Sequence, residues 1–176
     1  TKDKDGNLCY HRGDGSILLF TEKDGEYTAP DGYELKLNRK KIKENMFDFG
    51  EGEESYPVYQ YTITDETNVT KTFNYFGMLT SIEDEKGNQT VLTYDDNYNL
   101  REITSPAGTK YEFTTNEEGY ITAIQLPNGS TLSYAYDGNG NLISYTDANG
   151  AVTKYEYDDA HRMTAWYDAN GTRIVQ

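Results

Sequence analysis

The chain has 176 residues, 30 of them acidic and 16 basic, which gives a net charge of −14. An acidic surface repels a phosphate backbone, so nucleic acid is excluded as an expected partner, and a single cysteine excludes a disulfide framework or a cysteine-based metal site. No apolar run approaches the roughly 18 residues of a membrane span, and no stretch resembles a signal peptide.

Aromatic residues decide whether such a chain can fold. Only 31 residues are Leu, Ile, Val or Phe, which together with this net charge is typical of disordered proteins. The chain also has 17 Tyr and one Trp, and each large ring buries roughly 150–250 Å². Tyr, Thr, Phe, Ile and Val favour strands, while Gly, Asn and Asp favour turns. The composition therefore predicts an all-β protein with an aromatic-rich core.

Residues 1–72 are predicted to form an irregular β meander. Closely spaced Asp-Gly pairs mark hairpin turns, at 5–6, 14–15, 24–25 and 31–32. The most apolar stretch, 17–20, is predicted to be a buried strand. An acidic loop is expected at 50–55, and residues 56–64 and 69–75 are expected to pair as the hairpin that leads into the following region.

One basic cluster interrupts the acidic chain, at residues 39–43. Lysines commonly protect the exposed edges of sheets from pairing with other chains. The cluster is therefore interpreted as an exposed loop or an edge strand, with a contact for an acidic partner as the alternative.

A 21-residue repeat occupies residues 73–176. Five units follow one another without insertion or deletion. In each unit apolar and polar residues alternate with period two, as in a strand, and the glycines can supply the positive φ of a tight hairpin. The repeat predicts an antiparallel hairpin ribbon of about ten short strands. Its defining residues are Gly77, Gly87, Tyr94, Asp95, Gly108, Gly119, Gly129, Tyr136, Asp137, Gly140, Gly150, Tyr157, Asp158, Arg162 and Gly171.

Candidate catalytic and metal-binding residues are few. His161 occupies the glycine position of its repeat and is interpreted as a turn residue, and His11 as an exposed polar residue, because neither has the partners of a catalytic base. Cys9 is interpreted as a small buried residue. Segments 3–7 and 137–141 carry oxygen side chains at alternate positions, as a calcium loop does, but lack its glycine and its bidentate Glu. No catalytic, cofactor-binding or metal-binding residue is predicted.

Paired carboxylates and the many tyrosines are the remaining candidates. The pairs at 95–96, 117–118 and 158–159 could suggest a glycosidase, but neighbouring strand residues point to opposite faces and all three pairs recur at one turn of the repeat. They are interpreted as solvated turn residues. The aromatic side chains are predicted to pack across strands, with a stacking platform for sugars as the alternative, formed by Tyr94, Tyr111, Tyr134, Tyr136, Tyr145, Tyr155, Tyr157 and Trp166.

Two motifs carry a family resemblance. Tyr136-Asp137-x-x-Gly140-Asn141-Leu142 and Tyr157-Asp158-x-x-His161-Arg162-Met163 resemble the YD repeat of the RHS family. The likeness is strong over 73–176 and moderate before that. A single such motif is weak, whereas five in register are specific.

The resemblance implies a structural function. RHS-family proteins include polymorphic toxins of bacterial competition, wall-associated proteins, insecticidal toxin-complex subunits and animal teneurins. In the large members the repeats wind one antiparallel ribbon into a hollow shell around a variable C-terminal toxic segment. The resemblance thus implies the opening segment of such a shell, in a bacterial protein that is secreted or attached to the cell surface or cell wall. Its implied partners are further repeats and a C-terminal effector of the same chain.

Several expectations follow for the chain as given. Five repeats are too few to close a shell, and the sequence starts and stops in mid-pattern, so it is expected to be a piece of a longer protein. A cut ribbon leaves an open strand edge near residues 172–175, through which the fragment is expected to self-associate. The alternative function is a carbohydrate- or cell-wall-binding module in which exposed tyrosines stack on glycan.

Overall fold

The computed structural model describes residues 1–43 and 58–175, and these form strands and turns without a helix. No described segment could therefore cross a membrane as a helix. The predicted acidic loop at 50–55 lies outside the described residues. The strands are β1 Leu8–His11, β2 Ile17–Lys23, β3 Glu26–Thr28, β4 Lys36–Lys43, β5 Val58–Thr64, β6 Thr70–Phe73, β7 Leu79–Glu83, β8 Gln89–Tyr94, β9 Leu100–Thr104, β10 Lys110–Thr115, β11 Ile121–Gln125, β12 Thr131–Tyr136, β13 Leu142–Thr146, β14 Val152–Tyr157, β15 Met163–Tyr167 and β16 Arg173–Val175.

The strands form two antiparallel sheets. Strands β1, β2 and β3 make a small meander, and β4 to β16 make a 13-stranded sheet whose strand order follows the chain. The predicted all-β fold, a meander followed by a hairpin ribbon, is confirmed. The chain divides into two compact units, Thr1–Val91 and Leu92–Gln176.

The core of the first unit is small and centred on β2. Leu18, Phe20 and Ile63 are buried, and partly buried side chains pack around them from β1, β3, β4, β6 and the segment before β4. The predicted strand at 17–20 forms, but its burial was predicted wrongly for half of its residues. Ile17 and Leu19 are 56% and 42% exposed, because alternate side chains of a strand point to opposite faces and only one face of the meander meets the core.

The basic cluster lies in an edge strand, as predicted. Strand β4 is the outermost strand at its end of the 13-stranded sheet and pairs with β5 along its length. The Arg39 guanidinium lies over two tyrosine rings, 4.9 Å from the centroid of Tyr59 and 5.7 Å from that of Tyr27. Lys36 and Lys40 are exposed. The predicted hairpin before the repeats is also present, as β5 paired with β6.

The second unit consists of repeated hairpins. Strands of five and six residues alternate from β9 to β15. A register shift recurs at intervals of 21 residues, between 114 and 115, 135 and 136, and 156 and 157. One strand of each such pair therefore carries an extra residue, the feature of a β-bulge. The same shift occurs between 72 and 73 in the first unit.

Candidate functional site

One type of turn joins most of the hairpins. In thirteen described turns the N–H of the first residue donates to the carbonyl of the fifth, and the N–H of the fourth donates to the carbonyl of the first. The fourth residue has a positive φ in each of them, the arrangement of a three-residue hairpin loop that ends in a bulge. The first residues are Asp3, Arg12, Asp65, Asn74, Asp84, Asp95, Ser105, Asn116, Leu126, Asp137, Asp147, Asp158 and Asp168.

The residues that define the repeat lie at these turns or next to them. The fourth turn position is held by Gly6 and Gly15 before the repeats and, within them, by Gly77, Gly87, Gly108, Gly119, Gly129, Gly140, Gly150 and Gly171. Tyr94, Tyr136 and Tyr157 end strands β8, β12 and β14, and the aspartate after each of them is the first residue of the next turn. Each YD motif is therefore a strand end followed by the first residue of a turn.

The first-position carboxylate holds its turn together. In the turn that Asp137 opens, its Oδ1 accepts the N–H groups of Asn139 and Asn141 at 2.9 Å each, and its Oδ2 accepts the Asn141 side-chain amide at 2.9 Å. The Asn141 side chain, followed by the Asn141 backbone N–H, lowers the pKa of Asp137. Hydrogen bonds to a carboxylate favour its charged form. Arg162 does the same for Asp158, with Nε 2.8 Å from Oδ2, and lowers the pKa of that aspartate.

Equivalent turns of successive repeats touch one another. The fifth residue of one turn reaches the fourth residue of the equivalent turn in the next repeat. A β-carbon at Gly119 would lie 3.1 Å from Asn99 Oδ1, and a β-carbon at Gly140 would lie 2.5 Å from the Tyr120 hydroxyl. In the next step the Asn141 Oδ1 is 2.8 Å from His161 Nδ1. These three contacts are called the turn ladder below.

Tyrosine side chains pack together on one face of the sheet in the second unit. The Tyr120 and Tyr136 rings stack with centroids 4.8 Å apart, and the Tyr134 and Tyr145 rings lie 5.4 Å apart across β12 and β13. The Tyr136 hydroxyl donates to the Ile121 carbonyl at 2.9 Å. These rings therefore pack within the sheet, although several remain partly exposed.

The opposite face of the ribbon carries polar contacts on neighbouring strands. Lys110 Nζ lies 2.9 Å from Glu102 Oε2 across β9 and β10. Glu156 accepts the Tyr167 hydroxyl and the Arg173 guanidinium, both at 2.7 Å. Because these ion pairs are exposed to solvent, each contributes little to stability. The two faces of the ribbon thus differ in chemistry as period-two alternation requires.

The residues weighed as catalytic or metal-binding do not meet in a site. His161 lies in a turn with φ 60°, and Cys9 is a free, partly buried thiol. Asp3 Oδ1 accepts the N–H groups of Asp5 and Asn7, so the segment 3–7 is a hairpin turn. Within 1–43 and 58–175, no group of three or more His, Cys, Asp or Glu side chains could hold a metal ion.

Sequence reasoning missed one member of the turn series. Asp65 opens a turn of the same type, with Oδ1 accepting the N–H groups of Thr67 and Val69. Its fourth residue is Asn68, with φ 59°. Asparagine tolerates the left-handed region, so this turn forms without the glycine by which the other turns were recognised. The step from Asp65 to Asp84 is also shorter than the period of the repeat, so the repeat alignment did not include this turn. The spacing from Asp65 to Asn68 was the signal that could have identified it.

Comparison with known families agrees with the repeat. The family model described as RHS Repeat matches residues 73–110 and 136–173. No curated protein matches the chain. The stretch between the two matches contains Asn116 and Leu126, each at a position where three of the four other units have aspartate. Its turns nevertheless keep the same two backbone hydrogen bonds, so the structural repeat continues through the part that the family model does not match.

Proposed function

Since the chain belongs to the RHS-repeat family and is a structural repeat protein of that family, we propose that it is a wall segment of a larger shell. The shell would enclose a C-terminal effector of the same polypeptide and help to deliver it in competition between bacteria. Its partners would be further repeats and that effector, and the protein would be secreted or attached to the cell surface or cell wall.

The turn ladder is the observation that carries this proposal. At three successive steps of the array, the side chain at the fifth turn position of one repeat meets the fourth turn position of the next, as in Tyr120 with Gly140 and Asn141 with His161. Identical units that contact only their neighbours can be extended indefinitely, and their stability grows with their number. Such a surface needs no chemistry of its own, because an enclosing wall acts by excluding solvent and other proteins.

The sugar-binding alternative draws support from residual exposure of the tyrosines. Tyr111 and Tyr120 are 37% and 41% exposed, which leaves ring surface for stacking. The packing of Tyr134 on Tyr145 and of Tyr120 on Tyr136 favours the wall instead, because aromatic pairs across strands stabilise a sheet. A glycan array and a pull-down on cell walls separate the two functions, since a wall segment should show no saturable binding through these rings.

The decisive experiment is the size of the native protein. An antibody raised against this chain of 20.0 kDa is used to blot source cells and culture medium. We expect a band far above that mass, in the medium or on the cell wall. A band near the mass of the chain alone would overturn the proposal, because five repeats cannot enclose an effector.

A further inference from the structure

A polar cavity of ≈ 360 Å³ lies in the first unit. Three segments contribute to its lining: 10–12 at the end of β1, 32–35 before β4, and 63–71 in the β5–β6 hairpin. The volume is within the range of about 300–1,000 Å³ that is usual for small-molecule sites.

An exposed tyrosine ring stands in the lining of this cavity. Tyr33 is 44% exposed, and the Arg12 guanidinium lies 5.9 Å from its ring centroid. Asp14 Oδ2, at 3.2 Å from Arg12 Nη1, holds that guanidinium in turn. Tyrosine combines an apolar ring with a polar hydroxyl, so it suits a ligand that has both an apolar face and polar groups.

Charges of both signs line the cavity. Lys71 Nζ donates to the Tyr10 hydroxyl at 3.0 Å, which places an ammonium group beside the cavity. Glu34, Asp65 and Glu66 supply carboxylates to the same lining. Asp65 is fixed by the turn that it opens, through the N–H groups of Thr67 and Val69. The cavity therefore offers hydrogen-bond donors and acceptors side by side.

We propose that this cavity binds a neutral sugar. A hydroxyl group donates and accepts, so neighbouring sugar hydroxyls can donate to carboxylates such as Glu66 and accept from cations such as Lys71. The apolar C–H face of the sugar ring would stack on the aromatic ring of Tyr33. Because carboxylates and cations lie side by side in the lining, a ligand whose groups can each donate and accept matches them, and a neutral polyhydroxylated ligand has that property.

The test is a titration of the 176-residue chain followed by amide chemical shifts in NMR. The probes are cellotriose, maltotriose and N,N′-diacetylchitobiose. We expect at least one of them to give saturable shifts at residues 32–35 and 65–69, with a Kd on the order of 1 mM. Tyr33→Ala should weaken binding at least tenfold, while Tyr33→Phe, which keeps the ring, should weaken it by less than threefold. Tyr75→Ala, at a turn tip with a similar exposure of 40%, should leave the affinity unchanged.

Three results would overturn the inference: no saturable shift at 20-fold the expected Kd, shifts confined to residues 111–166, or binding of a heparin fragment alone. If Tyr33→Ala does not fold, Glu66→Gln replaces it, because Glu66 is exposed in a turn. That variant should weaken binding at least threefold, and an unchanged affinity would count against the site. The wall proposal is tested by the size of the native protein, so either proposal can fail without the other.

Discussion

Alanine at Gly140 tests whether the turn ladder contributes to stability. Gly140 has φ 81°, and a β-carbon there would lie 2.5 Å from the Tyr120 hydroxyl. Gly150 has almost the same backbone, φ 84°, but no heavy atom lies within 4 Å of the position of its β-carbon. Gly150→Ala therefore measures backbone strain alone, while Gly140→Ala measures strain together with displacement of Tyr120.

The expected magnitudes follow from these contacts. Alanine in the left-handed region costs about 1–2 kcal/mol, and this applies to both glycines. To clear a β-carbon at Gly140, the Tyr120 ring must shift, which disturbs its stacking on Tyr136 at 4.8 Å. An aromatic pair contributes about 0.5–1.5 kcal/mol beyond its buried area. We expect Gly150→Ala to lower the free energy of unfolding by about 1–2 kcal/mol and Gly140→Ala by about 1.5–3.5 kcal/mol.

Urea unfolding followed by fluorescence and circular dichroism measures the difference. With an m-value of about 2 kcal/mol/M, the excess cost at Gly140 lowers the unfolding midpoint by about 0.25–0.75 M relative to Gly150→Ala. In a Tyr120→Ala background the excess should vanish, because the obstructing ring is gone. Equal costs at the two glycines, or an excess that persists without Tyr120, would refute the turn ladder.

Three further outcomes are expected. Because the pKa of Asp137 is lowered in the folded chain, its stabilising effect is present above about pH 3.9, the usual unfolded value, and is lost as the pH falls through the lower folded value. Asp137→Asn should then melt with a weaker pH dependence between pH 5 and 2 than the parent, since Asn116 serves the same turn position; identical profiles would contradict this. Val175, 63% exposed in the edge strand β16, should support self-association, so Val175→Lys should lower the mass measured by light scattering; a monomeric parent at high concentration would contradict it. Phe20→Ala should cost about 3–5 kcal/mol in urea unfolding, because Phe20 is 0% exposed, whereas Leu19→Ala, at 42% exposed, should cost less than about 1 kcal/mol. Similar costs for the two would contradict the position of the core.

The repeats could be predicted because their signals are local. Most turns are determined by residues within the turn itself. An Asx side chain at the first position accepts N–H groups two and four positions later, and a glycine at the fourth position has a positive φ. Strand alternation between such turns needs no knowledge of distant residues. Where the local signal changes, as at Asn68, the turn still forms, but the pattern no longer reveals it.

Contacts between distant segments could not be predicted in this way. The turn ladder joins one repeat to the next, between residues 20 positions apart, as in Asn141 with His161. The cavity beside Tyr33 combines three segments that are far apart in the sequence, and no repeat period relates them. The prediction that residues 17–20 are all buried failed for a related reason. Four consecutive apolar residues do not reveal which face of the strand packs against the core, and in the structure only Leu18 and Phe20 are buried.

Recombination among the repeats is constrained by the same forward-reaching side chains. Units of equal length look interchangeable, yet the side chain at the fifth turn position of one unit restricts which residue fits at the fourth turn position of the next. A unit that carries Tyr120 favours glycine at the fourth turn position of the next unit, whereas the Asn141 side chain hydrogen-bonds to the imidazole of His161 at that position. Moving the His161 turn behind Tyr120 would put two rings into one space. Unequal crossing-over that lengthens or shortens such an array should therefore preserve matched neighbours, and repeat libraries should be built from overlapping pairs of units.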